Sequence, residues 1–293
     1  MKNIKEKDWY LKVTKKRKIK NIIMQTLILS CGVVAITPLA FVFYHIVKLG
    51  FPELNFTFFT ELPTPTGQTG GGMGNSIIGS LTMIGLASLV SVPIGVLSGV
   101  YLSEYGQSHS WLASFFRLIV DLLASLPSIV VGLFIYSVMV IPMKTFSAYA
   151  GSAALSILMI PIVIKTTEEV LKLLPIHVRE AGLALGIPRW RVIISIVLNG
   201  RKGAVITGVM LAVSRIAGET APLLVTAFGN RYWLQNLKQP IASIPVQIYN
   251  YAISPFEDWH KQAWAGALTL VTLIFILNLL SRTLLSRQLN ERN

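Results

Sequence analysis

The chain has 293 residues, of which 53% are hydrophobic and only 13% charged. A composition this apolar excludes an ordinary soluble domain and points to an integral membrane protein. The net charge of +13 invites a nucleic-acid reading, but most basic residues sit in short segments between apolar runs, where they set membrane orientation.

Residues 1–20 hold nine Lys or Arg and little that could form a core. They read as a cytoplasmic basic tail suited to an anionic lipid surface. The apolar run over 22–47 is the expected first transmembrane helix. It is too long for the apolar region of a secretory signal and lacks a small-residue cleavage site, so it is read as uncleaved. The lone cysteine, Cys31, lies in this run and is read as a packing residue; one cysteine allows no internal disulfide and no cysteine-based metal cluster.

Residues 48–74 are expected as an external loop with Pro52, Pro63, Pro65 and a glycine run over 67–74. No Lys-Ser or Lys-Thr follows the last glycine, which excludes a phosphate-cradling P-loop. A flexible loop remains, with the alternative that its free amides help admit an anion. From 75 to 285 the chain reads as one transmembrane domain with spans at 75–102, 111–141, 147–165, 204–228 and 262–285. Small residues in the first of these, among them Gly79, Gly95 and Gly99, suit close helix packing, and Pro93 should kink it. In the next, Arg117 and Asp121 are four apart and share a face just before Pro127 breaks the helix. That pair is either snorkelling to water at the membrane boundary or a second polar passage.

The segment 175–198 forms an elbow between two apolar spans. Pro175 suits a first helical position, Gly186 the left-handed residue just past a helix end, and Pro188 the start of a second helix. On chemistry alone it is either a solvated loop or a docking surface. Six spans place both termini, the 103–117 loop and the elbow on one side, with 20 Lys or Arg against five on the other, which makes the elbow side cytoplasmic.

Arg215 belongs to neither count, because it lies midway through the fifth expected span, with Glu219 four residues on and read as sharing its helical face. Burying one such charge in a bilayer costs about 2.5–3.5 kcal/mol on insertion scales, so exposure to lipid is excluded. Two readings stand: a mutually neutralising structural pair, or a polar lining for a passing anion. Gly218 and Pro222 favour the second, since a loosened helix at this depth is tolerated where it lines a cavity.

The elbow residues Glu180-Ala181-Gly182, then Gly186, then Ile196-Val197-Leu198 resemble the Glu-Ala-Ala loop of permease subunits of ATP-binding-cassette importers. Gly182 stands where a second alanine is usual, and Asn199 where a proline is usual. The ten residues from Arg215 to Leu224, with Leu126-Pro127-Ser128 and the glycine run, narrow the resemblance to phosphate-specific importer permeases of the PstA type. The resemblance implies an all-α type I importer permease fold with six transmembrane helices, in a bacterial or archaeal cytoplasmic membrane with both termini inside. It implies import of inorganic phosphate with a second, PstC-type permease, a PstB-type ATPase dimer and an external PstS-type binding protein. Glu180, Ala181, Gly182 and Gly186 would couple to the ATPase, while Arg215, Glu219 and Thr220 would line the substrate pathway. ATP and magnesium would be held by the ATPase alone, since this chain has no Walker A sequence; no metal site, no catalytic residue and no nucleic-acid partner are expected. A permease for phosphonate, molybdate or sulfate is the nearest alternative. An intramembrane hydrolase is the rival from another class, but His45, His109, His177 and His260 lie at span ends or in loops, and no hydrolase motif occurs.

Overall fold

The computed structural model describes residues 2–65, 70–106 and 111–290. The start of the glycine run, at 67–69, and His109 lie outside the described residues. Those that are described form helices, with two isolated β-bridges, Pro63 with Gly71 and Phe228 with Ile241, and no strand among them.

Helix α1 runs unbroken over Lys2–Gly50. No Gly or Pro occurs before Gly32, so nothing in the basic tail interrupts the helix that the apolar run continues. The expected first span is thus the middle of a longer rod. From Ile19 onward its apolar side chains are exposed almost throughout; at its end Gly50 seats against the Trp264 carbonyl. The loop beyond it carries the short helix α2, Phe56–Thr60, capped by Asn55, whose Oδ1 accepts the Phe58 N–H at 2.8 Å.

Two long helices make the core: α3, Gly74–Glu104, and α7, Ala148–Lys172. They meet along Gly95 and Gly99, one turn apart, where a Cβ would lie 2.6 Å from Val163 Cβ and 2.7 Å from Thr167 Cβ. Without side chains at these positions the backbones come close, which replaces the hydrophobic drive that lipid cannot supply. Met83, Ala87, Leu155, Met159 and Val163 fill the centre of this contact, together with Ala212, Val213 and Ile216.

The expected third span is two helices, α4 (Trp111–Ser125) and α5 (Ser128–Ile135), bent by 100° at the break before Ser128. A π-turn over Tyr136–Val140 and the short α6, Ile141–Met143, complete it. Proline disfavours the helical conformation for Leu126 before it, which explains where the break falls. At one end of this unit Arg117 donates to the Leu102 carbonyl of α3; just past the other, the Ser147 N–H donates to the Thr226 carbonyl. The bent unit therefore travels the length of the bundle. Among the described residues five helices are each long and apolar enough to cross a membrane, and counting this bent pair as one span brings the number to six. The chain is a multi-pass membrane protein.

After α7 come the elbow helix α8 (Ile176–Ala184), the single turn α9 (Arg189–Arg191) and a π-helical stretch over Val192–Leu198. Helix α10 (Asn199–Ala217) follows without interruption, so residues 199–203, just before the expected fifth span, are helical. Short α11 (Ala221–Thr226) and α12 (Ile244–Ala252) lie toward the far end, and α13 (Glu257–Asn290) closes the chain.

Candidate functional site

The fifth span is broken where the sequence loosens. Helix α10 ends at Ala217, with the Gly218 N–H reaching back to the Arg215 carbonyl at 3.3 Å, and α11 restarts at Ala221 with Pro222 in its first turn. Proline suits that place because a first-turn N–H has no helical partner to lose. Contacts with α7 fix the depth. Gly208 faces Thr166 toward the elbow, and Ala227 faces Gly151 toward the other end, so the break lies about midway along α7.

Arg215 stands in the last turn of α10, where the free carbonyls of a helix end favour a cation. It is exposed, on a stripe with Ala204, Thr207, Leu211 and Gly218. Glu219 and Thr220 are half-buried just beyond. Glu219 was expected on the helical face of Arg215; the helix ends between them, so the four-residue spacing does not align them. No ion pair joins Arg215 to Glu219 among the described residues.

Arg117 and Asp121 do share a face of α4, but each binds α7 rather than standing free. Arg117 Nε donates to Glu168 Oε1 at 2.8 Å, and Lys165 Nζ to Asp121 Oδ1 at 2.7 Å. Lys172 adds a second bond to Glu168 at 2.6 Å. A cavity of about 230 Å3 lies among these groups. Its cations and carboxylates cancel, so the cluster fastens the bent α4 to α7.

At the elbow, Gly186 takes φ +76° just past α8, and its N–H donates to the Leu183 carbonyl at 2.9 Å. Glu180 and Ala181 face outward, with the Glu180 carboxylate 3.3 Å from His177 Nδ1. Gly182 faces inward. A methyl there would lie 2.9 Å from Ile196 Cδ1, so glycine at this position lets α8 settle on the π-helical stretch. Pro175 caps α8 one residue before its first helical position. Exposed Ile176, Leu183, Leu185 and Trp190 surround the outward face.

The residue that holds this elbow carried no local signal. Arg179 donates from Nε and Nη2 to the buried Glu104 carboxylate at 2.8–3.1 Å, across 75 residues of chain. Its Nη1 and Nη2 also reach the Leu174 carbonyl at 2.6 Å and the Leu171 carbonyl at 2.8 Å. Arg189 donates to the Glu104 carbonyl and stacks over the Tyr105 ring at 4.6 Å. A carboxylate ending an apolar span was the only hint. Glu104, 6% exposed, needs such a partner to be buried at all.

A family model described as the binding-protein-dependent transport system inner membrane component matches residues 91–290. The chain is 43% identical over 272 residues to the phosphate transport system permease protein PstA of Yersinia pestis, covering 93% of this chain and 92% of that one. It is 34% identical over 264 residues to a probable PstA of Methanocaldococcus jannaschii, covering 89% and 91%. Among solved structures, a bacterial ABC transporter for import of the acidic polysaccharide alginate superposes with TM-score 0.61 at 14% identity, covering 92% of this chain and 98% of that one. The MetNI methionine ABC transporter, in an inward-facing conformation, gives TM-score 0.58 at 14% identity, with 73% and 92% covered. At these identities the solved structures establish the shared fold, that of an ABC importer permease.

Proposed function

This chain belongs to the binding-protein-dependent transport system inner membrane components, and from that premise we propose that it forms, with a second permease subunit, the pathway by which an ATP-driven importer takes up inorganic phosphate. The substrate rests on the relatives, which bear the name of phosphate transport permeases at up to 43% identity over nearly the whole chain. The observation that carries the pathway is Arg215: an exposed guanidinium at a helix break about midway through the bundle, without an ionic partner among the described residues. Lipid cannot cover it, so a second subunit and a water-filled passage must.

Chemistry agrees with an anionic substrate. Phosphate must shed water to cross, and a guanidinium replaces part of that shell with charge-assisted, planar paired hydrogen bonds. Thr220 offers a hydroxyl at the same level. Glu219 is half-buried beside it.

The bias of basic residues supports an elbow and both termini on the cytoplasmic side of a bacterial or archaeal cell membrane. There Glu180, Ala181 and the apolar rim would dock on an ATPase dimer of the PstB type, with Gly186 setting the angle and Gly182 the seat. The second permease would be of the PstC type. A PstS-type protein would deliver phosphate at the opposite end. ATP and magnesium would be held by the ATPase, and no cofactor by this chain. Labelled phosphate uptake by the assembled importer, competed with sulfate, molybdate and a phosphonate, tests the substrate. Equal competition by any of them overturns phosphate as the specific cargo.

A further inference from the structure

A cavity of about 260 Å3 opens at the end of the bundle opposite the elbow. One wall is the turn after α11, where Phe228 (φ +64°) and Gly229 (φ +110°) both take left-handed backbone. For phenylalanine that conformation is an outlier and has to be held in place. It is: the Phe228 ring stacks on Phe146 with centroids 4.7 Å apart, and its N–H donates to the Leu223 carbonyl at 3.0 Å. Asn230 then closes the turn. Its Nδ2 donates to the Pro240 carbonyl at 3.1 Å, its Oδ1 accepts the Tyr232 N–H at 3.0 Å, and its carbonyl accepts from Asn75 at 2.6 Å. So braced, the turn sets Arg231 on the cavity wall.

The facing wall comes from α12, whose Gln247, Asn250 and Tyr251 share one side, with Trp259 stacked on Tyr251 at 4.7 Å. Tyr251 is 4% exposed. Burial pushes its phenol up, against the opposing pull of the Gln247 side-chain hydrogen bond and the nearby Arg231 charge, so at neutral pH it is an O–H donor. Arg231 is the one formal charge among the described lining residues, and no carboxylate lines the cavity. Arg231 has no ion pair or hydrogen bond among the described residues. A walled space with one cation, a neutral phenol and carboxamides has the donors for an anion and, among the described residues, no negative charge to repel it.

We propose that this cavity binds a phosphate group, with the Arg231 guanidinium as its charge partner and the Tyr251 hydroxyl and Gln247 amide as neutral donors. Two sources present the same oxygens. One is inorganic phosphate arriving at this end on its way to Arg215, which rests on the importer reading above. The other is a phospholipid headgroup, to which exposed Tyr232 and Trp233 beside the cavity are suited.

The test uses the full chain in complex with its partner subunits, with Cys31→Ser and Asn250→Cys at the cavity mouth. Maleimide labelling is followed in lipid-free detergent with inorganic phosphate or chloride at equal ionic strength, and in nanodiscs of phosphatidylcholine with or without phosphatidylglycerol. Phosphate should slow labelling in detergent, and Arg231→Gln should raise the half-protecting concentration at least about tenfold, the loss of one charge-assisted hydrogen bond. Protection confined to nanodiscs and relieved by Arg231→Gln assigns the site to a headgroup. Labelling indifferent to both sources, or protection unchanged in Arg231→Gln, overturns the proposal. Uptake of labelled phosphate by the unsubstituted importer is measured alongside. Failure of uptake with protection intact overturns the importer reading alone.

Discussion

Arg179 grips Glu104 at 2.8 Å and also binds the carbonyls of Leu171 and Leu174, so one side chain ties the elbow to the ends of both central helices. Any push on α8 from below reaches α3 and α7 through this clamp. Removing one partner of a buried, hydrogen-bonded pair costs about 3–5 kcal/mol, because the other charge is stranded. Glu104→Ala should therefore lower the melting temperature of the purified permease. Glu104→Gln, which keeps the shape and one acceptor, should spare assembly yet cut uptake at least about tenfold, on the scale of a charge-assisted bond. Melting and uptake in reconstituted importer, read together with ATP hydrolysis, decide it; wild-type uptake in Glu104→Gln would mean the clamp carries no motion.

The elbow offers a cleaner backbone test. Gly186 sits at φ +76° with nothing within 4 Å of where a Cβ would be, so a substitution there is opposed by conformation alone. Gly186→Leu should cost about 1–2 kcal/mol of local strain and tilt α8, whereas asparagine tolerates this region far better. Co-purification of the ATPase should fall in Gly186→Leu and survive in Gly186→Asn. Glu180→Lys, by contrast, leaves α8 in place and should weaken docking through charge. Equal ATPase recovery in all three variants would make the elbow a solvated loop.

Much of this architecture could be read from the chain, and what could not has physical reasons. Apolar runs, the positive φ at Gly186 and the break after Leu126 follow from local composition and from glycine and proline chemistry. The clamp of Glu104 by Arg179 spans 75 residues and leaves no periodic trace. The partners of Arg117 and Asp121 were missed for the same cause, since Glu168 and Lys165 lie on another helix. The Arg215 and Glu219 pairing erred differently. Four-residue spacing aligns side chains only where the helix persists, and here Gly218 ends it.

Orientation has a direct readout. With Cys31 replaced, a cysteine at Gln235, exposed in the loop after α11, should react with a membrane-impermeant thiol reagent on intact cells. One at Leu185, 79% exposed beside Gly186, should react only after the membrane is opened. Labelling of Leu185→Cys in intact cells would place the elbow outside, beyond the reach of any cytoplasmic ATPase.

Arg215 and Glu219 allow the two readings of the broken span to be separated. If the arginine is structural, its work is to be neutralised, and neutral partners at both positions should serve nearly as well. If it meets the substrate, its positive charge is indispensable, because glutamine cannot form a charge-assisted pair with an anion at mid-depth. Arg215→Gln should thus abolish phosphate uptake while the importer still assembles, since the side chain holds no ion pair within this chain among the described residues. Arg215→Lys keeps the charge but loses the planar fork, and should retain a small fraction of uptake. In the double variant, Arg215→Gln with Glu219→Gln, uptake should stay lost. Its recovery to near wild-type rates would show that the pair serves the fold, and the pathway would have to be sought on another face of the bundle.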